Sequence, residues 1–160
     1  AVDKAIEVFE INVREYPESS NAYDSLAEAY MIAGKDELAI ENYERSRKLD
    51  PENTEVEKNI AWIRERIEAR KNPVPLSGGE LERFVGSYGP FQISMSEGGL
   101  FAEIDWLKKD YRLVPLTKDV MNIEGLGGYR LQFISDKDGH VTKAVGISVG
   151  GRKSEGTREE

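Results

Sequence analysis

Ala5, Phe9 and Pro17 recur as Ala39, Tyr43 and Pro51, each offset by 34 positions. A repeat of that length confines the N-terminal part to a stack of paired helices, because two helices of three to four turns and their connections fill it. Between the two copies runs Tyr23-x-x-Leu26-Ala27-x-x-Tyr30, followed by the turn Gly34-Lys35-Asp36. Small Ala27 and Ala39 let two antiparallel helices approach closely, while Tyr23, Leu26, Tyr30 and Tyr43 fill the space around the contact. Gly34 is expected to end the first helix and Pro51 to stop the second. Asn12 and Ser46 stand at the same offset, and Asn12 is the bulkier of the two.

The segment from Ser20 to Asn53 resembles one complete tetratricopeptide repeat, with a half repeat before it in register. From Glu55 to Arg70, Val56, Ile60, Ile63 and Ile67 share one face, which reads as a capping helix. Such arrays usually need about three repeats to stand alone, so this one must lay a face against something else. The helical period already runs through Val2-Asp3-Lys4-Ala5-Ile6, from which the chain is expected to be part of something longer.

Beyond the midpoint the period changes. Lys71 to Gly79 contains two prolines and two glycines and reads as a linker between a helical domain, 1–70, and a small β domain, 80–149. Ser77-Gly78-Gly79-Glu80 has the capping-box pattern ahead of a short helical turn. Phe91, Ile93 and Met95 alternate before Glu97-Gly98-Gly99, and Leu100, Ala102 and Ile104 alternate after it, predicting a hairpin closed at Gly98-Gly99. Tyr111–Val114 and Val120–Ile123 predict two further strands. Tyr129, Leu131 and Phe133 are expected to pair with Val141, Ala144 and Ile147 across Asp136-Lys137-Asp138-Gly139. The fold class is therefore α+β: helical hairpins with a cap, then an antiparallel meander of about six strands, curled or closed into a half-open barrel. Residues 150–160 carry few apolar side chains and read as a flexible tail.

Composition narrows the chemistry. A net charge of -8 repels phosphate backbones and anionic headgroups, which speaks against a nucleic-acid partner, and no apolar run is long enough for membrane insertion. Without cysteine there is no disulfide, thiolate nucleophile or cysteine-zinc site. Gly146-Ile147-Ser148-Val149-Gly150 matches a nucleophile elbow, but no helix follows, and the sole histidine, His140, precedes the serine, against that fold's order. Asp136-x-Asp138-Gly139 begins like a calcium loop and lacks the remaining ligands, so it reads as a turn. No catalytic residue, metal ligand or cofactor site is expected.

Binding is the better expectation. In helical arrays of this kind the first helix of each unit lines a concave surface, here offering Asn21, Asp24, Ser25, Glu28, Met31 and Ile32. Repeats that grip an acidic peptide C-terminus use Lys, Arg and Asn there, whereas this acidic and apolar face offers neither Lys nor Arg and suits a basic or apolar segment instead. Its competing description is a plain solvated helix face. Trp106, Lys108, Lys109 and Tyr111 gather near one strand connection, where Trp106 and Tyr111 either stack a ring, with lysine for an anion, or cover a sheet edge.

Two stretches carry a further resemblance. Tyr16-Pro17, Asn21-x-Tyr23-Asp24-Ser25-Leu26-x-Glu28-Ala29-Tyr30 and Gly34-x-x-Glu37-Leu38-Ala39-Ile40 resemble the tetratricopeptide tails that follow catalytic domains of bacterial serine hydrolases related to β-lactamases and esterases. Leu81-x-x-Phe84-Val85-Gly86-x-Tyr88, with Gly139-His140-Val141-Thr142, is similar to the small β domain appended to such hydrolases and to some tail-specific proteases. The resemblance implies a noncatalytic C-terminal region of an exported or periplasmic bacterial hydrolase, whose partner is a protein, a peptide or an adjacent domain of its own parent chain. The alternative is a β domain that binds a small molecule or peptide, with the helices as its scaffold.

Overall fold

The computed structural model describes residues 2–159. These described residues form five helices followed by eight strands, and the chain divides into two compact units. One comprises the residues up to Ile67 together with Gly125–Gly128, and the other comprises Glu68–Glu124 and Tyr129 onward.

In the helical unit, α1 (Val2–Glu15), α2 (Ser20–Ile32), α3 (Asp36–Leu49) and α4 (Glu55–Lys71) follow one another through short connections. Ser19 caps α2, its hydroxyl accepting from the Ala22 amide at 3.3 Å. At the other end, Gly34 adopts φ +72° and the chain closes with Gly34 N–H bonded to Met31 O at 3.1 Å and Lys35 N–H to Tyr30 O at 2.9 Å. That crossed pair of bonds satisfies the last carbonyls and turns the chain so that α3 can run back along α2. The contact between α2 and α3 is the most extensive among the helices. Ala27 and Ala39 are both fully buried, with Leu26, Tyr30 and Tyr43 packed into the same unit's core. Ser46 is buried, whereas Asn12, at the same offset in the preceding copy, stays half-buried.

Helix α4 buries Val56, Ile60 and Ile63, with Glu57, Arg64, Glu65 and Glu68 exposed, as the periodicity predicts, whereas Ile67 at the far end of that face is only half-buried. The apolar pattern gave no sign of Arg66, which is buried on the same helix and ion-pairs with buried Asp36 of α3. Arg66 also donates to Met31 O at 3.3 Å and to the carbonyl of Gly127, which accepts from Trp62 Nε1 at 3.1 Å as well. A buried guanidinium is tolerable because its charge is matched and its donors find acceptors.

The second unit begins with α5 (Gly78–Glu82), where the expected capping box is formed. The Ser77 hydroxyl accepts from the Glu80 amide at 3.3 Å, and the Glu80 carboxylate accepts from the Ser77 amide at 2.8 Å. Eight strands follow: β1 (Gly86–Tyr88), β2 (Phe91–Ser96), β3 (Gly99–Ile104), β4 (Asp110–Pro115), β5 (Val120–Ile123), β6 (Tyr129–Ser135), β7 (Val141–Ser148) and β8 (Lys153–Thr157). They make one antiparallel meander in sequence order. The Tyr88–Arg158 bridge and the bond from Glu159 N–H to Ser87 O, 2.9 Å, bring the first and last strands together, so the sheet is a nearly closed barrel.

Three expectations need correction. The β2–β3 turn is Glu97-Gly98, one residue earlier than expected, with φ of 49° and 74°. This register sets Phe91, Ile93 and Met95 opposite Ile104, Ala102 and Leu100, whereas a turn at Gly98-Gly99 would leave Phe91 facing beyond the strand end. Strands β6 and β7 pair as expected, but in another register: Tyr129 faces Ser148, Leu131 faces Gly146 and Phe133 faces Ala144, while Ile147 faces Arg130 and Val141 faces Ser135 across a register shift. Residues expected to be a tail form β8, and with β1 they bring the strand count to eight rather than about six.

Phe84, Tyr88, Phe91, Leu100, Met121, Leu131, Phe133 and Val141 fill the barrel interior and are all essentially inaccessible. The Phe84 and Phe133 rings lie 4.5 Å apart between centroids, and Tyr88 meets Phe133 edge-on at 5.7 Å. The Tyr88 hydroxyl is satisfied by Phe84 O at 3.0 Å.

Candidate interaction surface

Helix α2 presents a mixed face. Asn21, Glu28 and Ile32 are exposed, and Asp24 and Ser25 are half-buried. Asp24 and Glu28 are one turn apart, at a spacing where like charges repel. Beneath them the wholly buried Tyr43 of α3 directs its hydroxyl to accept from Asn59 Nδ2 of α4 at 3.2 Å. Three helices thus contribute to one polar cluster.

The electrostatics follow from that placement. Partial burial, with Glu28 adding repulsion, raises the Asp24 carboxyl above the ordinary carboxylate range. Burial pushes the Tyr43 phenol up, and the charges of Asp24 and Glu28 push it further, against a smaller opposing effect of the Asn59 hydrogen bond. On the other side of α2, the Tyr30 phenol is pushed up to about 12 by burial and by its own bond to Glu10 Oε1, 2.6 Å away.

Met31 does not belong to this face. It is 0% exposed, packed in the core of the unit, so its side chain is not available from solvent. Helical spacing sets Met31 within about 40° of the Asp24-Glu28 row, so it is the covering of this edge of α2 by the rest of the unit, not the period, that removes it from the face. A shallow polar depression of about 340 Å³ lies elsewhere on α2 and α3, lined by Tyr23, Glu41, Asn42, Glu44, Arg45 and Lys48, with the Arg45 guanidinium 5.6 Å from the Tyr23 ring centroid.

In the barrel, Trp106 is 54% exposed and meets core Phe91 edge-on at 6.0 Å. Tyr111 is half-buried opposite Ala102, and Lys109 lies over its ring at 5.5 Å. Both aromatics thus border one strand connection, each with its own neighbour.

Ser148 and His140 flank opposite ends of β7, roughly 25 Å apart at the rise of a strand. The Ser148 hydroxyl accepts from the Arg152 amide at 3.0 Å within the β7–β8 turn. His140 is exposed, and the adjacent Asp136 carboxylate accepts the Asp138 and His140 amides at 2.9 Å, which holds it below the usual carboxylate range. No group of three or more His, Cys, Asp or Glu side chains among the described residues is placed to hold a metal ion. No helix among them is long and apolar enough to cross a membrane.

The class defined by these features is an α+β chain in which a helical unit precedes an eight-stranded antiparallel barrel. No protein-family model, curated protein or solved structure matches it.

Proposed function

We propose that this chain is a noncatalytic interaction and structural module of the tetratricopeptide type, serving as the C-terminal region of a larger bacterial hydrolase. The observation that carries the interaction reading is the pairing of Asp24 with Glu28. A helix face with only a structural task gains nothing from two carboxylates one turn apart, one of them half-buried. Local cost of this kind is common where a surface is kept for binding. The charge favours a partner segment that is basic or apolar, whether from another protein or from an adjacent domain of the parent chain. The offset of 34, the full burial of Ala27 and Ala39 and the extensive contact of α2 with α3 support the repeat type. The filled barrel interior supports a supporting role over the enclosure of a small ligand.

Fluorescence anisotropy with a panel of lysine-rich, apolar and glutamate-rich peptides tests this face. Lysine-rich or apolar peptides bind and the Asp24→Lys, Glu28→Lys double variant abolishes or inverts the preference. Equal binding of glutamate-rich peptides to the wild type sinks the assignment. Turnover of an ester or β-lactam substrate that disappears in Ser148→Ala sinks the noncatalytic reading separately.

A further inference from the structure

Helix α1 is apolar on two opposite sides. At 100° per residue, Val2, Ile6, Phe9 and Val13 share one side. Ile6 is buried, the other three are half-buried, and the Tyr30–Glu10 hydrogen bond ties the helix to α2. The opposite side carries Lys4, Val8, Ile11 and Glu15, which fall within an arc of about 60°. All four are exposed, Val8 at 61% and Ile11 at 51%. Single exposed apolar residues need no explanation, but two β-branched side chains one turn apart, in line with a lysine and a glutamate, form a pattern.

We propose that this stripe is a self-association surface on which a second copy of the chain lays its own α1 antiparallel. A two-fold axis passing between Phe9 and Glu10 sets Lys4 opposite the partner's Glu15 and Val8 opposite the partner's Ile11, and symmetry repeats both contacts. A parallel arrangement sets Lys4 against the partner's Lys4 and Glu15 against the partner's Glu15, so the charges select the antiparallel one. The complement of this stripe is a helix with the same two charges in reversed order, which is the stripe itself turned end over end. One pair of 14-residue helices buries less than the roughly 1,000 Å² of a durable interface, so the association is weak and concentration-dependent.

Sedimentation velocity on the full chain, from about 10 μM to about 1 mM, reads the equilibrium directly. The wild type shifts from monomer to dimer over that range. Lys4→Glu and Glu15→Lys each weaken dimerisation about tenfold. Mixed one to one, these two variants pair with each other at least as well as the wild type pairs with itself, because every facing pair then joins opposite charges. Val8→Asp removes the dimer while circular dichroism shows the helices intact, since the position is exposed. A wild type that remains monomeric at about 1 mM leaves the stripe to a foreign partner and overturns the proposal. A dimer indifferent to Val8→Asp, or variants that fail to recover on mixing, overturns it equally.

Discussion

Asp24 shows what a single side chain costs in this fold. Its carboxyl is raised by partial burial and by Glu28, so the folded chain holds that proton to a higher pH than the unfolded chain does. The sign follows from linkage: folding is unpenalised below the ordinary carboxylate pKa of about 4 and loses stability as pH rises through the raised value. Asp24→Asn is therefore expected to stabilise the chain at pH 7 and to leave it unchanged at about pH 3, where the aspartate is already neutral. Since the group is half-exposed, the gain stays below about 1 kcal/mol. Urea unfolding at the two pH values measures it, and an equal effect at both would mean that charge is not the cause. If this face binds as proposed, the same substitution is expected to weaken its hold on basic peptides, which would link stability to recognition at one residue. Helical spacing alone sets Asp24 and Glu28 on one face in the sequence, and the structure keeps them there. Met31 was misplaced by the same reasoning, since period identifies a face without saying how far the neighbouring helix wraps around it.

Among elements, those with a strong apolar period were legible and those that bury backbone were not. Helices α2 to α4 and strands β2 to β7 announce themselves through spacing, and most of their bounds fall close to the expected ones. Strand β8, Lys-Ser-Glu-Gly-Thr, has no apolar residue to count. It is held by pairing with β7 and by Gly156, whose backbone lies directly against Tyr88 and Gly89. Arg158 then straps the seam, donating to Val85 O at 2.7 Å and to Val141 O at 3.3 Å, with its guanidinium 5.7 Å from the Tyr88 ring centroid. A missing side chain and a polar clasp leave no mark in a hydrophobicity pattern, which is why these residues read as a tail. The Asp36–Arg66 pair was hidden for a related reason, because two charged residues 30 positions apart announce no partnership. The seam makes a sharp prediction. A Cβ at position 156 would stand 1.8 Å from Tyr88 O and 2.3 Å from its carbonyl carbon, and backbone cannot yield as a flexible side chain can. Gly156→Ala should cost about 3 kcal/mol or more by opening the β1–β8 contact. Gly79→Ala, in α5 with nothing within 4 Å, should be neutral or stabilising by up to about 1 kcal/mol. Chemical denaturation of both variants checks the contrast, and a Gly156→Ala chain as stable as the wild type would show that the seam does not close the barrel.

For the whole molecule, the common thread is neutral tyrosine. Tyr30 and Tyr43 in the helical unit and Tyr88 in the barrel all have phenols raised chiefly by burial, with Arg158 pulling Tyr88 partly back. In the unfolded chain these phenols ionise near pH 10, whereas the folded chain retains their protons, Tyr30 to about 12. Above pH 10 the unfolded state therefore binds fewer protons, and stability falls as pH rises, by about 1.4 kcal/mol per pH unit for each proton fully retained. Each unit accordingly carries its own alkaline liability, and thermal unfolding followed at 222 nm and in the near-ultraviolet should show falling midpoints between pH 10 and 12 for helices and barrel alike. Tyr30→Phe should flatten part of the helical slope while costing about 1 kcal/mol at pH 7 through the lost bond to Glu10. Tyr88→Phe should act in the same way on the barrel, where the lost bond is the one to Phe84 O. Midpoints that stay level through pH 12, or a Tyr30→Phe chain with the wild-type slope, would mean that the phenols ionise as freely in the folded state as in the unfolded one. The burial that defines both cores could not then be as complete as the packing around Tyr43 and Tyr88 requires.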